Sequence, residues 1–125
     1  MGVKRGLSSV QRTLRACREQ GRFVDKCEQY NPYGGARRPD GTPIGVRVDL
    51  FQFIDIIAID TDAIVAIQAC SGSGAEHRKS IFENDYAKAW FRAGGKIELW
   101  VWRKIKKHRG GKQLVWQPKI EQLTI

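Results

Sequence analysis

Cysteine and histidine are scarce in this sequence, and neither residue occurs in a familiar metal-binding pattern. The three cysteines, Cys17, Cys27 and Cys70, are an odd number at wide spacing, and no two of them form a Cys-x-x-Cys pair. The two histidines do not stand at zinc-finger distances. These absences argue against a disulfide scaffold and against a zinc module, and we expect reduced cysteines, as in an intracellular protein.

Long apolar runs are also missing. No run approaches the ~20 residues of a membrane-spanning helix, and residues 1–5 lead into a polar segment without the apolar core of a signal peptide. We therefore expect an intracellular, cytoplasmic protein without a membrane partner. Its 125 residues are enough for one domain with a hydrophobic core. We predict a single domain over residues 1–125, with flexible ends at residues 1–7 and 121–125.

Acidic residues are too few to balance the basic ones. The chain has 13 Asp and Glu residues against 22 Lys and Arg, which gives a net charge of +9 and a pI of about 9.8. This excess predicts a polyanionic partner, most often a nucleic acid, although an ordinary solvated basic surface is the alternative. The candidate phosphate contacts are Arg12, Arg15 and Arg18 in a predicted helix, Arg37 and Arg38 in a loop, and Lys106, Lys107, Arg109 and Lys112 in a turn.

The order of the predicted elements indicates an α/β fold. A capping box formed by Ser8 and Gln11 predicts a helix that ends near residue 20. The remaining predictions are strands over residues 23–30, 50–59, 63–70, 97–102 and 114–120, a loop over 31–47 and a helix over 75–93. The crossover through that helix predicts that the strands before and after it are parallel in a mixed sheet.

A single acidic residue, Asp55, lies inside an apolar run over residues 51–59. That run and the next, over residues 63–71, carry apolar residues at odd and even positions, as strands buried on both faces do. An ionised carboxylate there costs several kcal/mol unless a metal, a cation or hydrogen bonds compensate. We expect a divalent cation to bind Asp55. The alternative is a carboxylate satisfied by backbone amides or by an arginine such as Arg47.

The second run ends in the polar motif Gln68-Ala69-Cys70. An Asp in one strand, followed in the next by Glu or Gln, any residue and Lys, is the pattern of the PD-(D/E)xK nuclease superfamily, which this region resembles. The spacing is most similar to archaeal-type Holliday junction resolvases and small phage nucleases. The resemblance implies an α-β-β-β-α-β restriction-endonuclease-like core with a mixed central sheet, to which this chain adds a C-terminal strand.

This resemblance implies a Mg²⁺- or Mn²⁺-dependent endonuclease acting on DNA, in particular on branched DNA such as a Holliday junction formed in recombination. It also implies a homodimer and a phage-encoded protein in a bacterial host. Asp55 and Gln68 are then the expected metal ligands. Asp49 is a further candidate, because it lies on the same strand face as Asp55 if the strand extends that far.

One residue of the family pattern is missing. Cys70 stands where the family has its catalytic lysine, and a neutral thiol supplies neither positive charge nor a good Mg²⁺ ligand. Lys79 or Arg78, at the start of the following helix, is expected to replace it, with Lys79 preferred. His77 is either a general base or, as is commoner for a lone histidine, a surface residue. The rival hypothesis is a nuclease fold without catalysis that acts as a DNA-binding or protein-interaction module.

Two further features have both a functional and a structural interpretation. Ser71 and Ser73 either form a phosphate cradle at a helix N-terminus or belong to a flexible turn. Trp100 and Trp102 share one strand face, and Trp116 lies in the next strand. These tryptophans either form the contact of the homodimer or lie beneath a helix, and we predict the dimer contact.

Overall fold

The computed structural model describes residues 6–124. A five-stranded mixed sheet lies between helices on both of its faces, so the predicted α/β class is confirmed. The elements in chain order are α1 (Ser9–Glu19), β1 (Phe23–Lys26), β2 (Gln29–Asn31), β3 (Val46–Val48), β4 (Ile56–Ile59), β5 (Ile64–Ser71), α2 (Ala75–Glu83), α3 (Asp85–Arg92), β6 (Lys96–Lys106) and β7 (Leu114–Leu123). Strands β2 and β3 form a separate two-stranded ribbon.

The strands of the main sheet are ordered β1-β4-β5-β6-β7. Only β5 and β6 pair in parallel, as predicted, because the helical crossover returns the chain to the end of the sheet where β5 began. The end where β4 begins is therefore also the end where β1, β5 and β6 finish. We call it the Asp55 end, because Asp55 directly precedes β4, and we call the opposite end the Asp60 end, because Asp60 directly follows β4.

Alternate residues of each strand pack against different helices. Ile67 faces α1, whereas Leu99 faces α2 and α3. Trp100 and Trp102 lie beneath α1, and the Trp102 indole donates a hydrogen bond to Thr13 Oγ1 at 2.8 Å. The prediction that these two tryptophans form a dimer contact is wrong, because α1 already covers them. The homodimer itself stays a prediction.

Helix α1 begins as the sequence predicts. Gln11 N donates to Ser8 Oγ at 3.2 Å and Ser8 N donates to Gln11 Oε1 at 2.9 Å, so the capping box is formed. Thr13 and Cys17, one helical turn apart, are buried against the sheet. This packing holds α1 on one face of the sheet, with α2 and α3 on the other.

Three predicted elements are divided or shortened in the structure. The helix predicted over residues 75–93 is two helices, because Asn84 leaves the helical path and its side chain accepts a hydrogen bond from Tyr86 N at the start of α3. The strand predicted over residues 23–30 is divided between β1 and β2, which belong to different sheets. The strand predicted over residues 50–59 is shorter, because a turn precedes β4.

The C-terminal strand is longer than predicted. β7 ends at Leu123, which is buried, so residues 121–123 belong to the sheet and not to a flexible tail. Residues 1–5 and 125, also predicted to be flexible, lie outside the described residues. Within residues 6–124, no helix has the length and apolar character that a membrane crossing requires.

Candidate functional site

A tight loop precedes β4 at the Asp55 end. Leu50 N donates to Ile54 O at 3.2 Å and Ile54 N donates to Leu50 O at 2.9 Å, which closes a turn over residues 51–53. Phe51 and Gln52 adopt positive φ angles of 52° and 71° within it. Such angles cost non-glycine residues of order 1–3 kcal/mol each, and they persist only where the surrounding structure imposes them.

The loop places Asp49 beside Asp55. Each residue lies one position outside the paired Leu50 and Ile54, and the two carboxyl groups are close enough to share a hydrogen bond. A continuous strand would have held them about 20 Å apart, too far to share one cation. The structure therefore brings Asp49 to Asp55, but the predicted route, a common strand face, is wrong. We call Asp49 and Asp55 the carboxyl pair.

The carboxyl group of Asp55 has few neutralising partners. Asp55 is 7% exposed, and its Oδ2 accepts a hydrogen bond from Ala69 N at 2.8 Å. Arg47, the arginine considered as a partner, contacts Glu28 at 3.7 Å instead. In the described part of the chain, none of the ion pairs involves Asp49 or Asp55. A backbone amide thus satisfies one oxygen of Asp55, while its charge lacks a cationic partner there.

The surroundings of Asp55 favour its protonated form. Burial, and next the hydrogen bond with Asp49 and the negative charge of Asp49, raise the pKa of Asp55 to about 8. The Ala69 amide acts in the opposite direction, because it stabilises the ionised form. Since a bound cation also favours the ionised form, cation binding near neutral pH is coupled to the release of a proton.

Gln68 lies next to the β5 residues that bind Asp55. The β4–β5 ladder ends at the pair Ile56–Ile67. Beyond it, Asp55 N donates to Ile67 O at 3.0 Å and Asp55 Oδ2 accepts from Ala69 N, so Asp55 contacts β5 on either side of Gln68. Gln68 itself pairs with Leu99 of β6, which packs toward α2 and α3, so the Gln68 side chain lies on that face. Gln68 Nε2 lies 3.1 Å from His77 Nδ1. Gln68 Oε1 is buried and has no hydrogen-bond partner among the described residues, which calls for an explanation.

The carboxyl pair and the Gln68 amide oxygen form a set of hard oxygen donors. Such donors suit Mg²⁺ or Mn²⁺, and Mg²⁺ commonly takes one or two carboxylates and completes its shell with water. No group of three or more His, Cys, Asp or Glu side chains able to hold a metal occurs in residues 6–124, so a third protein donor would be the Gln68 amide oxygen or a backbone carbonyl such as that of Ala69. The residues present fit a divalent cation with a sparse protein shell, and the orphaned oxygen is the observation that indicates it.

The position of the family lysine carries no positive charge. Cys70 is buried beside α2 and α3, and burial, followed by the charge of Asp55, raises the pKa of its thiol. Arg78 forms an ion pair with Glu121 of β7, at 2.6 Å and 2.7 Å. Lys79 is exposed on α2. The structure brings neither basic residue next to the carboxyl pair: Arg78 is engaged elsewhere, and a catalytic role for Lys79 stays a prediction.

The basic residues of α1 lie on the face of the sheet opposite α2 and α3. The Arg12 guanidinium lies 3.9 Å from the centre of the Trp116 ring. Arg15 forms an exposed ion pair with Glu19 at 3.4 Å, and Arg18 is exposed. A phosphate held by these arginines would lie on the far side of the sheet from Gln68 and His77, and their role as phosphate contacts stays a prediction.

Two ribbons leave the sheet at the Asp55 end. One spans residues 27–49 between β1 and β4 and contains β2 and β3. The other is the part of the β6–β7 pairing that continues past the last residue of β5. We call residues 103–117 the basic hairpin, because this segment has six lysines and arginines and no acidic residue. Its exposed tip carries four of the predicted phosphate contacts, Lys106, Lys107, Arg109 and Lys112.

Arg37 and Arg38 lie in the other ribbon, and each guanidinium is tied to the backbone of its own loop. Arg37 Nη1 donates to Gly41 O at 3.3 Å, and Arg38 Nη1 donates to Pro43 O at 3.0 Å. Both side chains are nevertheless exposed. These bonds hold the arginines in place at the surface, so they remain candidate phosphate contacts at the Asp55 end.

Ser71 and Ser73 lie between the end of β5 and the start of α2, also at the Asp55 end. Ser73 Oγ accepts a hydrogen bond from Ala75 N at 3.4 Å, and Gly74 at the N-cap offers no side-chain acceptor. The segment is thus a connection that ends in a weakly capped helix. The phosphate cradle stays a prediction.

Sequence reasoning missed two contributors to the site. The turn at Phe51 and Gln52 was hidden in a run of apolar residues that is typical of a buried strand. The sequence leaves His77 as either a general base or a surface residue and does not predict its contact with Gln68, although His77 precedes the buried Ile81 by one helical turn. That spacing was the signal that could have placed His77 on the inner face of α2.

Comparison of the chain with protein-family models gives no match. Searches among curated proteins and among solved structures give no significant match either. The functional argument therefore depends on the geometry around the carboxyl pair, on the distribution of charge and on the short sequence motif.

Proposed function

We propose that this chain is a Mg²⁺- or Mn²⁺-dependent endonuclease of the PD-(D/E)xK kind that hydrolyses DNA, with branched DNA as its preferred substrate. The topology supports this proposal. Three antiparallel strands, a helical crossover, a parallel strand and an antiparallel C-terminal strand are neighbours in space in their chain order. This order is consistent with a restriction-endonuclease-like core in which β2 and β3 are an insertion.

A single observation carries the proposal. At the Asp55 end, the buried Asp55 and the half-buried Asp49 lie together beside Gln68, whose amide oxygen is buried without a partner, and no lysine or arginine of the described residues neutralises the pair. Buried groups of this kind with strongly shifted pKa values are concentrated at functional sites. The basic hairpin leaves the sheet at the same end and supplies the charge that a DNA backbone requires.

The chemistry follows from these groups. Phosphodiester hydrolysis builds negative charge on the phosphoryl oxygens, and a bound divalent cation neutralises that charge and acidifies the attacking water. Asp49, Asp55 and Gln68 would hold the ion, while the basic hairpin would bind phosphates beside the scissile one. Cys70 adds no positive charge, so we expect slower cleavage than a lysine at that position would support.

Branched DNA is the favoured substrate class because the protein offers charge without an evident device for reading bases. Phosphate contacts position a protein on DNA but carry no direct sequence information. At the Asp55 end, the exposed cations of the two ribbons lie on loops, turns and strand extensions that leave the sheet, and recognition by shape suits such an arrangement. A homodimer is part of this proposal, and of the three tryptophans considered for its interface, Trp116 retains an exposed surface, at 37%.

A cleavage assay with Mg²⁺ or Mn²⁺ on four-way junction, flap and linear DNA tests the proposal. Asp55→Asn should lower the cleavage rate about 100-fold or more, because losing a metal ligand forfeits several kcal/mol of transition-state stabilisation. Asp62→Asn is the matched control, since Asp62 is an exposed aspartate at the Asp60 end. Wild-type protein that cuts none of these substrates with either ion would contradict the proposal, as would equal activity in Asp55→Asn.

A second function, a DNA-binding module without catalysis, is favoured by one specific observation. The lysine position holds a buried neutral thiol, and Arg78, the nearest candidate to replace it, is paired with Glu121. Such a module would bind junction DNA with strong salt dependence and leave it uncut. Its binding would also be unaffected by Asp55→Asn, whereas a nuclease would lose metal-dependent cleavage.

A further inference from the structure

The first turn of α2 lies unusually close to the sheet. A Cβ atom added at Gly74 would lie 2.6 Å from Val101 Cγ2 and 3.3 Å from Leu99 Cδ2, so only glycine permits this approach. Ile81, one turn after His77, is fully buried in the same core. The close approach and the burial together direct the His77 side chain at the sheet, where it reaches β5.

His77 meets the sheet at one side-chain amide. Its Nδ1 lies 3.1 Å from Gln68 Nε2, and an amide nitrogen can only donate, so Nδ1 accepts and the imidazole proton resides on Nε2. With the nitrogen facing His77, the oxygen is the end left buried without a partner, in the residue next to Ala69, whose backbone amide binds Asp55.

We propose that His77 is a positioning residue that holds the Gln68 amide with its oxygen presented to the cation bound by the carboxyl pair. The proposal rests on the proposed function and deepens it, because it names the residue that prepares the third oxygen donor. Partners of this kind, which contact a ligand and not the metal, orient the ligand and commonly change metal affinity 10–100-fold when removed.

Two other roles for His77 make different predictions. A residue that only fastens α2 to the sheet would affect stability when replaced and leave metal affinity unchanged. A general base would affect the cleavage rate without affecting metal affinity. The measurement that separates the three roles is therefore the affinity of the DNA-free protein for Mn²⁺.

The experiment is an isothermal titration of the full chain with Mn²⁺ in the absence of DNA. His77→Phe keeps a ring of similar size and removes the acceptor, and we expect its Mn²⁺ affinity to fall about 10-fold or more. His77→Asn places an amide oxygen near the position of Nδ1, and we expect the affinity to return to within about 3-fold of wild type. Circular dichroism of each variant verifies that the chain is folded.

Gln68→Leu tests the same contact from its other side and keeps the proposal falsifiable if His77→Phe does not fold. It should lower Mn²⁺ affinity at least as much as His77→Phe, and the double variant should show no further loss. Wild-type affinity in folded His77→Phe or in Gln68→Leu overturns the inference, as does failure of His77→Asn to restore binding.

The same titration separates this inference from the proposed function. If wild type binds Mn²⁺, Asp55→Asn loses it and the His77 variants retain it, the metal site stands and the role of His77 is wrong. If wild type does not bind Mn²⁺ at all, both proposals are overturned.

Discussion

The two ends of β4 treat carboxyl groups in opposite ways. At the Asp60 end, Arg22 donates to Asp60 at 2.7 Å and to Glu98 at 2.9 Å, so one guanidinium neutralises two carboxylates. At the Asp55 end, Asp49 and Asp55 lie together without a lysine or arginine partner among the described residues. The pKa of Asp60 is lowered, chiefly by its hydrogen bond with Arg22, whereas burial raises the pKa of Asp55 to about 8.

This difference shows what a structural pair of acids looks like in this fold. Where carboxylates serve stability, the chain supplies a partly buried arginine with four hydrogen bonds to them. Where a buried carboxyl group such as Asp55 has no cationic partner among the described residues, it costs stability, and a bound ligand is the best explanation of it. The Asp60 end is thus an internal reference for the Asp55 end.

Arg22→Met should remove the hydrogen bonds to Asp60 and Glu98 at the Asp60 end and have the largest effect on stability. It leaves two partly buried carboxylates without their cation and without its charged hydrogen bonds, which should cost about 1.5–3 kcal/mol. Urea denaturation at pH 7 measures the loss. Arg18→Met, an exposed arginine four residues earlier, should change the free energy of unfolding by less than about 0.5 kcal/mol. An equally small loss of unfolding free energy for Arg22→Met would mean that the Arg22 contacts with Asp60 and Glu98 do not stabilise the fold, and the comparison of the two ends would fail.

Asp55→Asn should raise the free energy of unfolding, whereas Arg22→Met lowers it, and the size of this increase should depend on pH. Because the pKa of Asp55 is higher in the folded than in the unfolded chain, the folded chain binds the extra proton, and the metal-free protein loses stability as pH rises from about 4 to 8. The asparagine variant should lack this decline and be more stable than wild type at pH 8 by up to several kcal/mol.

Asp60→Asn supplies the contrast for that experiment. Its pKa is lowered in the folded chain, so its contribution is present above the unfolded pKa and is lost as the solution is acidified. The variant should be less stable than wild type at pH 7. Thermal or urea denaturation of Asp55→Asn and Asp60→Asn from pH 4 to pH 8 measures both changes. If the two variants change the free energy of unfolding in the same direction at neutral pH, the account is contradicted.

Asp49→Asn should lower the raised pKa of Asp55 only in part, so its effect should be smaller than that of Asp55→Asn. Asp49 is the second cause of the raised pKa of Asp55, after burial, so its removal should lower that pKa without restoring the ordinary value. A titration of the Asp55 carboxyl carbon by NMR follows the change. An unchanged pKa would mean that Asp49 does not share the proton and that the loop over residues 51–53 does not hold the two groups together.

Lys106→Gln should have the smallest effect, on DNA binding alone. If the basic hairpin contacts phosphates, losing one contact should reduce the slope of log affinity against log salt by about one. Arg92→Gln is the control, because Arg92 is exposed at the end of α3, near the Asp60 end. Equal slopes for wild type and Lys106→Gln in electrophoretic or fluorescence titrations would exclude a phosphate contact at this residue.

Local signals were enough to predict much of the fold. The capping box of Ser8 and Gln11, the burial of Asp55 and the parallel pairing of β5 with β6 all followed from patterns within one or two elements. Asn84 shows the limit of such signals: it interrupts an apolar stripe that continues through α2 and α3, and only its cap geometry separates the helices.

The candidate site was harder to predict because it depends on contacts between distant segments. The turn at Phe51 and Gln52 violates the backbone preference of its own residues, so no local rule favours it. Trp100 and Trp102 were assigned to the surface because an alternating strand does not reveal which helix covers its second face. Arg22 reaches Glu98 across the sheet, a pairing that neither segment signals alone.

The central claim is that the carboxyl pair binds a divalent cation, and proton release tests it most directly. Titrations with Mn²⁺ at pH 7 in two buffers of different ionisation enthalpy give the number of protons released per ion bound. With the pKa of Asp55 near 8, we expect close to one proton per ion for wild type, and neither binding nor proton release for Asp55→Asn. Absence of binding to wild type, or equal binding to Asp55→Asn, would contradict the account.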